Sequence, residues 1–187
     1  KDKIVLDYGS GDGRFAEYLN QLQIKTITYD PLINKLDKSE PFGYQITENQ
    51  VDTLMMWHVL EHIPDLESSI KVICNSVKNK GSLIIAVPNI DSFDSKLYKE
   101  CWAGLDVPRH LYHFNHESLI KFIEKHGFIY NYKKPLIFDS FYVSILSEKN
   151  RSNPFGILIG LTMGLISNFF ALFSSNYSSS FYVFTKD

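Results

Sequence analysis

The stretch Ile4–Phe15, Ile-Val-Leu-Asp-Tyr-Gly-Ser-Gly-Asp-Gly-Arg-Phe, constrains this chain more than any other, because buried strand, glycine turn and helix start follow one another without a gap. Ile4, Val5 and Leu6 form the short apolar run of a strand buried on both faces. Gly9, Gly11 and Gly13 permit a tight turn whose backbone can lie against a ligand. Phe15, Tyr18, Leu19 and Leu22 continue at helical spacing. A strand's carboxyl end facing a helix N-terminus is where α/β folds bind nucleotide-like ligands. The glycines are spaced G-x-G-x-G, not the G-x-G-x-x-G/A of a dinucleotide loop, and Phe15 and Ala16 do not restore that pattern. Asp7 stands two places before the first glycine, where a carboxylate repels a pyrophosphate and can bind an ammonium group. Asp7, Gly9, Ser10, Gly11 and Gly13 are therefore the expected core of a cofactor pocket.

Strand and helix alternate from this point on, which predicts a parallel sheet covered on both faces. Residues 24–29 read as a second strand ending at Asp30-Pro31. There, about 20 residues beyond the glycines, an acidic group can accept both hydroxyls of a ribose. A short third strand is expected near Tyr44–Ile46. Val51–Trp57 is the next apolar strand, and Trp57, His58, Glu61 and His62 leave its carboxyl end beside the pocket. Asp65 caps a helix carrying Leu66, Ile70, Ile73 and Val77 on one face, with Gly81 as its end. Residues 82–87 form a buried strand, followed by an irregular insertion through Trp102 to Phe114. Asn115 caps a helix that ends near Gly127. Residues 128–132 alternate as a strand. Phe138, Phe141, Tyr142, Ile145 and Leu146 fit a helical apolar face with Asp139 as its cap. The closing strand is expected over residues 180–185.

A length of 187 residues fits one domain with a full core, and 44% hydrophobic with 21% charged residues is ordinary for a globular chain. A formal net charge of -2 gives no basic footprint for nucleic acid. Cys74 and Cys101 have neither metal-site nor disulfide-scaffold spacing, which points to a reducing, cytoplasmic setting. The chain starts at Lys1 and enters its first strand at once, as a piece of a longer protein would.

These residues resemble the class I S-adenosylmethionine-dependent methyltransferases over most of the chain. Asp7–Gly13 looks like that family's first motif, Asp30 like its ribose-binding acid, and Leu60–Asp65 like the segment after its fourth strand. Asp106–Phe114 looks like a small-molecule branch, similar to the ubiquinone-biosynthesis and polysaccharide-cluster methyltransferases. The resemblance implies a Rossmann-like α/β sheet of seven mostly parallel strands, order 3-2-1-4-5-7-6, with the last strand antiparallel and helices on both faces. It also implies S-adenosylmethionine as cofactor and an N-terminal helix that closes over it. Glu48 is the nearest counterpart of the family's adenine-contacting acid.

Methyl transfer from a sulfonium is an in-line displacement, in which alignment alone can supply up to roughly 7 to 11 kcal/mol. A general base adds about 10² to 10⁴ for a hydroxyl acceptor. His113, His110 and His62 are the residues expected to serve. Trp102, Arg109, Tyr112, Phe138 and Tyr142 are expected to bind the acceptor. His58–His62 also matches an H-x-x-E-H zinc pattern, but that pattern needs a helix and here follows a strand. In the Glu-x-x-Glu-His segment with which some ubiquinone-type relatives hold a divalent cation, His58 replaces the first Glu, so no metal is expected. The expected activity is transfer of a methyl group to the oxygen of a small molecule. A catalytically silent cofactor-binding module is the alternative, and a nucleotide-sugar or nicotinamide enzyme is disfavoured by the glycine spacing and Asp7.

No residue from Ser152 to Thr185 is charged, and Gly156, Gly160 and Gly164 form a G-x-x-x-G repeat inside it. A helix there carries small residues on one face, and the expectation is that it packs on the helix starting near Asp139, so that residues 136–177 form a helical cover, inserted between the last two strands, over the acceptor pocket. A buried or lid helix is the first expectation for this run, and contact with a membrane surface or a lipid-linked acceptor the second.

Overall fold

Val5–Tyr8 (β1) is buried along its whole length, as its unbroken apolar run requires. It lies between two parallel neighbours: Thr26–Tyr29 (β2), with Val5 opposite Thr26, and Val51–Trp57 (β3), with Val5 opposite Thr53. A computed structural model describes residues 3–30 and 47–187 of the chain. Val77–Pro88 (β4), Phe128–Pro135 (β5) and Ser179–Lys186 (β6) complete the strands, and among the described residues six form one sheet in the order β2-β1-β3-β4-β6-β5. Seven were expected. The third, near Tyr44–Ile46, and Pro31 of the expected cofactor set lie outside the described residues. With that strand removed, the expected order reduces to the observed one. Among the described residues the α-helices are Arg14–Gln21 (α1), Leu66–Asn75 (α2), Phe93–Tyr98 (α3), His116–Glu124 (α4), Asp139–Asn150 (α5) and Gly156–Ser174 (α6).

The chain gathers into two compact units, the first made of Lys1–Ile85, Phe122–Tyr132 and Tyr182–Asp187, the second of Ala86–Lys121 and Lys133–Phe181. The first unit buries Leu6, Leu54, Met56, Leu60, Ile70, Leu83 and Ile85 completely. Asp65 caps α2 as expected, accepting from the Ser68 amide at 3.4 Å. The helix stops earlier than its apolar spacing implies. Lys186 Nζ donates to the carbonyls of Cys74, Asn75 and Val77 at 3.2, 3.4 and 2.7 Å, which satisfies acceptors a helix end leaves open. Val77 consequently opens β4, and Gly81 lies inside that strand. A Cβ on Gly81 would stand 2.7 Å from the Lys78 carbonyl and 3.0 Å from that of Asp52, so the strand admits no side chain there. Asp52 joins the strand starts by accepting from Lys78 Nζ at 2.9 Å and the Ile4 amide at 2.8 Å. The Lys78 contact holds its carboxyl below the usual carboxylate range.

The second unit is organised round a buried carboxylate. Asp94, at the start of α3, accepts from Trp102 Nε1 at 2.8 Å, Ser167 Oγ at 2.7 Å and Ser178 Oγ at 2.7 Å. Three charge-assisted bonds offset its desolvation and tie together segments distant in sequence. Asn115 starts α4 as expected, its Oδ1 accepting from the Ser118 amide at 2.8 Å.

Helix α5 turns only part of its expected apolar face inward: Phe141 and Ile145 meet α6, but Phe138 and Tyr142 do not. Ser140, Ser144, Ser147 and Glu148 are buried, whereas Phe138 and Tyr142 are 85% and 67% exposed. Asp139 is not the cap; it is the first helical residue, preceded by Phe138. The serines allow close packing against the segment at residues 103–105, where Ser147 Oγ accepts from the Ala103 amide at 2.8 Å and donates to the Val143 carbonyl at 2.7 Å. Another face of α5 receives α6. A Cβ on Gly160 would stand 2.6 Å from Ile145 Cα, and one on Gly164 would stand 2.7 Å from Phe141 Cα, so the two helix backbones touch. Gly156, Gly160, Gly164, Ser167 and Ala171 are the buried face of α6. The rest of α6 is not buried. Helix Gly156–Ser174 is long and apolar enough to cross a membrane, and only 22% of its apolar window is covered by the protein.

Candidate active site

The glycine loop is anchored from both sides. The Gly9 and Ser10 amides donate to the Tyr29 carbonyl at 2.7 and 3.3 Å, and the Gly13 amide closes a turn on the Ser10 carbonyl at 3.0 Å. Two of the glycines have different reasons. Gly9, at φ 79°, has no room for a side chain, because a Cβ would meet Val59 Cγ2 at 2.4 Å. Gly11, at φ 53°, has no heavy atom within 4 Å of the place a Cβ would take, so its bare backbone faces open space. The Gly11 amide donates to Asp30 Oδ2 at 3.0 Å, which pins the acid at the end of β2 to the loop.

That open space is a cavity of about 410 Å³ lined by Asp7, Gly9, Ser10, Gly11, Phe15 and Trp57. Its volume is within the range occupied by small-molecule and cofactor sites. Phe15 and Trp57 meet edge to face, ring centroids 5.9 Å apart, and form an aromatic wall. Asp7 is 3% exposed, and desolvation pushes its carboxyl up to about 6. A buried carboxylate at a cavity wall is stabilised in its charged form by a ligand that brings a cation. The ammonium of S-adenosylmethionine has that character, a pyrophosphate has the opposite one, and the residues present fit the former.

Sequence reasoning placed Asp7, Gly9, Ser10, Gly11 and Trp57 here, and these five line the cavity. It counted Phe15 only as a helix position; the signal that identifies it is its place two residues after the last loop glycine. Gly13 serves the start of α1. His58, at φ 55°, turns the chain out of β3 with Nδ1 3.5 Å from Glu61 Oε1, and Glu61 is buried. His62 is exposed.

In the second unit, Trp102, His110, Tyr112 and His113 line one crevice with Pro88, Ile90, Gly104 and Phe114, which as it stands has no room for a guest. Trp102 is a fixed wall: its ring is 2% exposed, packs on Gly104 and gives its N–H to Asp94. His110 Nδ1 is 2.9 Å from the Gly104 carbonyl and His113 Nε2 is 2.9 Å from the Leu105 carbonyl. A carbonyl only accepts, so each of these nitrogens carries the proton and the opposite nitrogen is the basic one in the neutral ring. Asp106 Oδ2 lies 2.6 Å from Arg109 and 3.9 Å from His110 Nε2, which ties the expected acceptor-binding arginine to the same turn. Phe138 and Tyr142 do not join this group; they stand outward on α5.

The family model for a methyltransferase domain matches residues 1–130. Among curated protein sequences none matches the chain. Solved structures of similar fold include a SAM-dependent methyltransferase from Archaeoglobus fulgidus, 19% identical, TM-score 0.58, with 98% of this chain and 86% of that one aligned. A phosphoethanolamine N-methyltransferase 2 from Haemonchus contortus in complex with S-adenosyl-L-methionine is 16% identical, TM-score 0.58; all of this chain aligns, spanning 49% of that enzyme. The 1,6-didemethyltoxoflavin-N1-methyltransferase of Burkholderia thailandensis, holding its substrate and S-adenosylhomocysteine, is 15% identical, TM-score 0.56, with 100% and 72% aligned. With the family matched across strand, glycine loop and the segment after β3, and with the fold shared along the whole length, the chain belongs to the methyltransferase domain family and has the fold of the S-adenosylmethionine-dependent methyltransferases.

Proposed function

We propose that the protein transfers a methyl group from S-adenosylmethionine to the oxygen of a small-molecule acceptor in the cytoplasm. The observation that carries the cofactor reading is the buried Asp7 carboxylate at the wall of the glycine-loop cavity, a place for a cation. Asp30, fixed by the Gly11 amide at 3.0 Å, is assigned to the ribose hydroxyls. Phe15 and Trp57 offer faces for a purine. When bound, the cofactor supplies an activated methyl carbon on a positive sulfur. The protein's part is to align that carbon and to take one proton from the acceptor hydroxyl. His110, whose Nδ1–H is committed to the Gly104 carbonyl, and His113, whose Nε2–H is committed to the Leu105 carbonyl, are the residues assigned to take that proton. Fixing the tautomer by a backbone carbonyl is what a general base requires.

Two of the structural relatives are named for nitrogen methylation, and a neutral amine attacks without prior loss of a proton. The imidazoles with assigned tautomers favour oxygen. Incubation with methyl-labelled S-adenosylmethionine and paired hydroxyl and amine acceptors separates the readings. Labelled ether products, reduced about 10²-fold or more by His110→Ala or His113→Ala, are expected. Labelled amines with no dependence on either histidine replace oxygen by nitrogen. Binding of S-adenosylhomocysteine without any product across the panel reassigns the chain as a silent cofactor-binding module.

A further inference from the structure

Helices α5 and α6 present a surface that the described residues leave uncovered. Ile157, Leu158, Leu165, Phe169, Leu172 and Phe173 of α6 are 56–79% exposed. Tyr142 of α5 and Phe138, just before that helix, add exposed rings. Single exposed apolar residues are normal; a contiguous face along a whole helix marks an interaction site. The glycine stripe is turned against α5, so α6 spends its small residues on the protein and keeps its large ones outside.

We infer that this face seats in the interfacial layer of a phospholipid bilayer, with α6 lying in the membrane plane. Two observations select lipid as the occupant. First, the segment is locally cationic although the whole chain carries -2: residues 133–178 hold Lys133, Lys134, Lys149 and Arg151 against Asp139 and Glu148. Glu148 is buried and engaged by Asn153 Nδ2 at 2.5 Å, with Arg151 3.8 Å away. The cations border both ends of α6. The exposed Lys149 and Arg151 precede it, Arg151 donating from Nη2 to the Leu97 carbonyl at 2.9 Å and lying 4.5 Å from the Tyr98 ring centre, and half-buried Lys133 Nζ donates to the Ser175 carbonyl just beyond its C-terminus at 2.9 Å. An apolar face with basic ends complements an anionic bilayer surface.

Second, the geometry excludes a span and permits a plane. The 19 residues of α6 reach about 28 Å but the 12 of α5 only about 18 Å, short of the roughly 30 Å hydrocarbon core. Lys149 in the last turn of α5 and Arg151 and Asn153 in the connection to α6 do not cross lipid. The strands on either side of the hairpin, β5 and β6, are neighbours in one sheet, so the chain enters and leaves on the same side.

Vesicle flotation tests this with phosphatidylcholine alone and with about a third phosphatidylglycerol added. The wild-type chain is expected to float with the mixed vesicles and to partition at least about tenfold less with phosphatidylcholine. The pair Leu158→Glu, Leu165→Glu, at solvent-facing positions, is expected to lower flotation about tenfold with its melting temperature retained. If the acidic pair does not fold, Leu158→Ser with Leu165→Ser gives the same comparison. Flotation unchanged in these variants overturns the assignment to this face. A wild-type chain that does not float, but forms concentration-dependent dimers which the variants dissolve, overturns it in favour of a second copy. A monomer that does not float overturns it outright.

Discussion

Asp7, assigned above to the cofactor's ammonium, carries a buried carboxyl whose charge is a cost to the fold. Its carboxyl, pushed to about 6 by burial, is protonated more readily in the folded state than in the unfolded one. The folded chain therefore binds the extra proton between about pH 4 and pH 6, and stability falls as pH rises through that window. At neutral pH, Asp7→Asn is expected to stabilise the protein by roughly 2 to 3 kcal/mol in urea titrations, with the gain vanishing below about pH 4. Affinity for S-adenosylhomocysteine is expected to move oppositely. Isothermal titration of the wild type should show binding weakening as pH drops below about 6, and Asp7→Asn should bind weakly at every pH. The glycines divide in the same manner. Gly9→Ala drives a Cβ to 2.4 Å from Val59 and is expected to lower stability by about 2 kcal/mol or more. Gly11→Ala costs only about 1 to 2 kcal/mol of left-handed backbone strain, but sets a methyl group in the cavity and is expected to lose cofactor affinity out of proportion. Thermal melts and calorimetry on the two variants distinguish them.

At the level of elements, the α5–α6 crossing is the most demanding contact in the second unit. Gly160→Ala sets a Cβ 2.6 Å from Ile145 Cα, a clash with backbone that no rotamer relieves, and is expected to destabilise by roughly 1 to 3 kcal/mol while cofactor affinity is unchanged. Chemical denaturation with parallel calorimetry checks both halves. This pairing was legible in the sequence because a small residue every fourth place defines a face by itself. The outward turn of Phe138 and Tyr142 was not. Periodicity identifies which residues share a face but not whether that face meets protein, and on α5 the serines won because their size allows close approach. The end of α2 was hidden for another reason: Val77 extends the helical spacing, and the group that stops the helix, Lys186, lies more than a hundred residues away. Strand, loop and helix at Ile4–Phe15 were readable because every determinant is local. Phe15 escaped notice as a cavity wall because its helical spacing already explained it.

For the whole molecule, the cofactor should act as part of the fold. S-adenosylhomocysteine at about 100 times its dissociation constant adds about 2.7 kcal/mol, which for a chain of this size raises the melting temperature by roughly 5 to 10 °C. Calorimetric scans should show that rise for the wild type and little of it for Gly11→Ala. Strand order has a consequence of a different kind. Among the described residues β5 is paired only through β6, and residues 136–178, including the apolar hairpin, are made between them. During translation β5 therefore leaves the ribosome as an orphan strand, followed by the greasiest helix of the protein, before the strand that shelters it exists. Such a nascent intermediate is a natural client for chaperones, and a nearby bilayer that accepts α6 would shield it while the sheet waits to close.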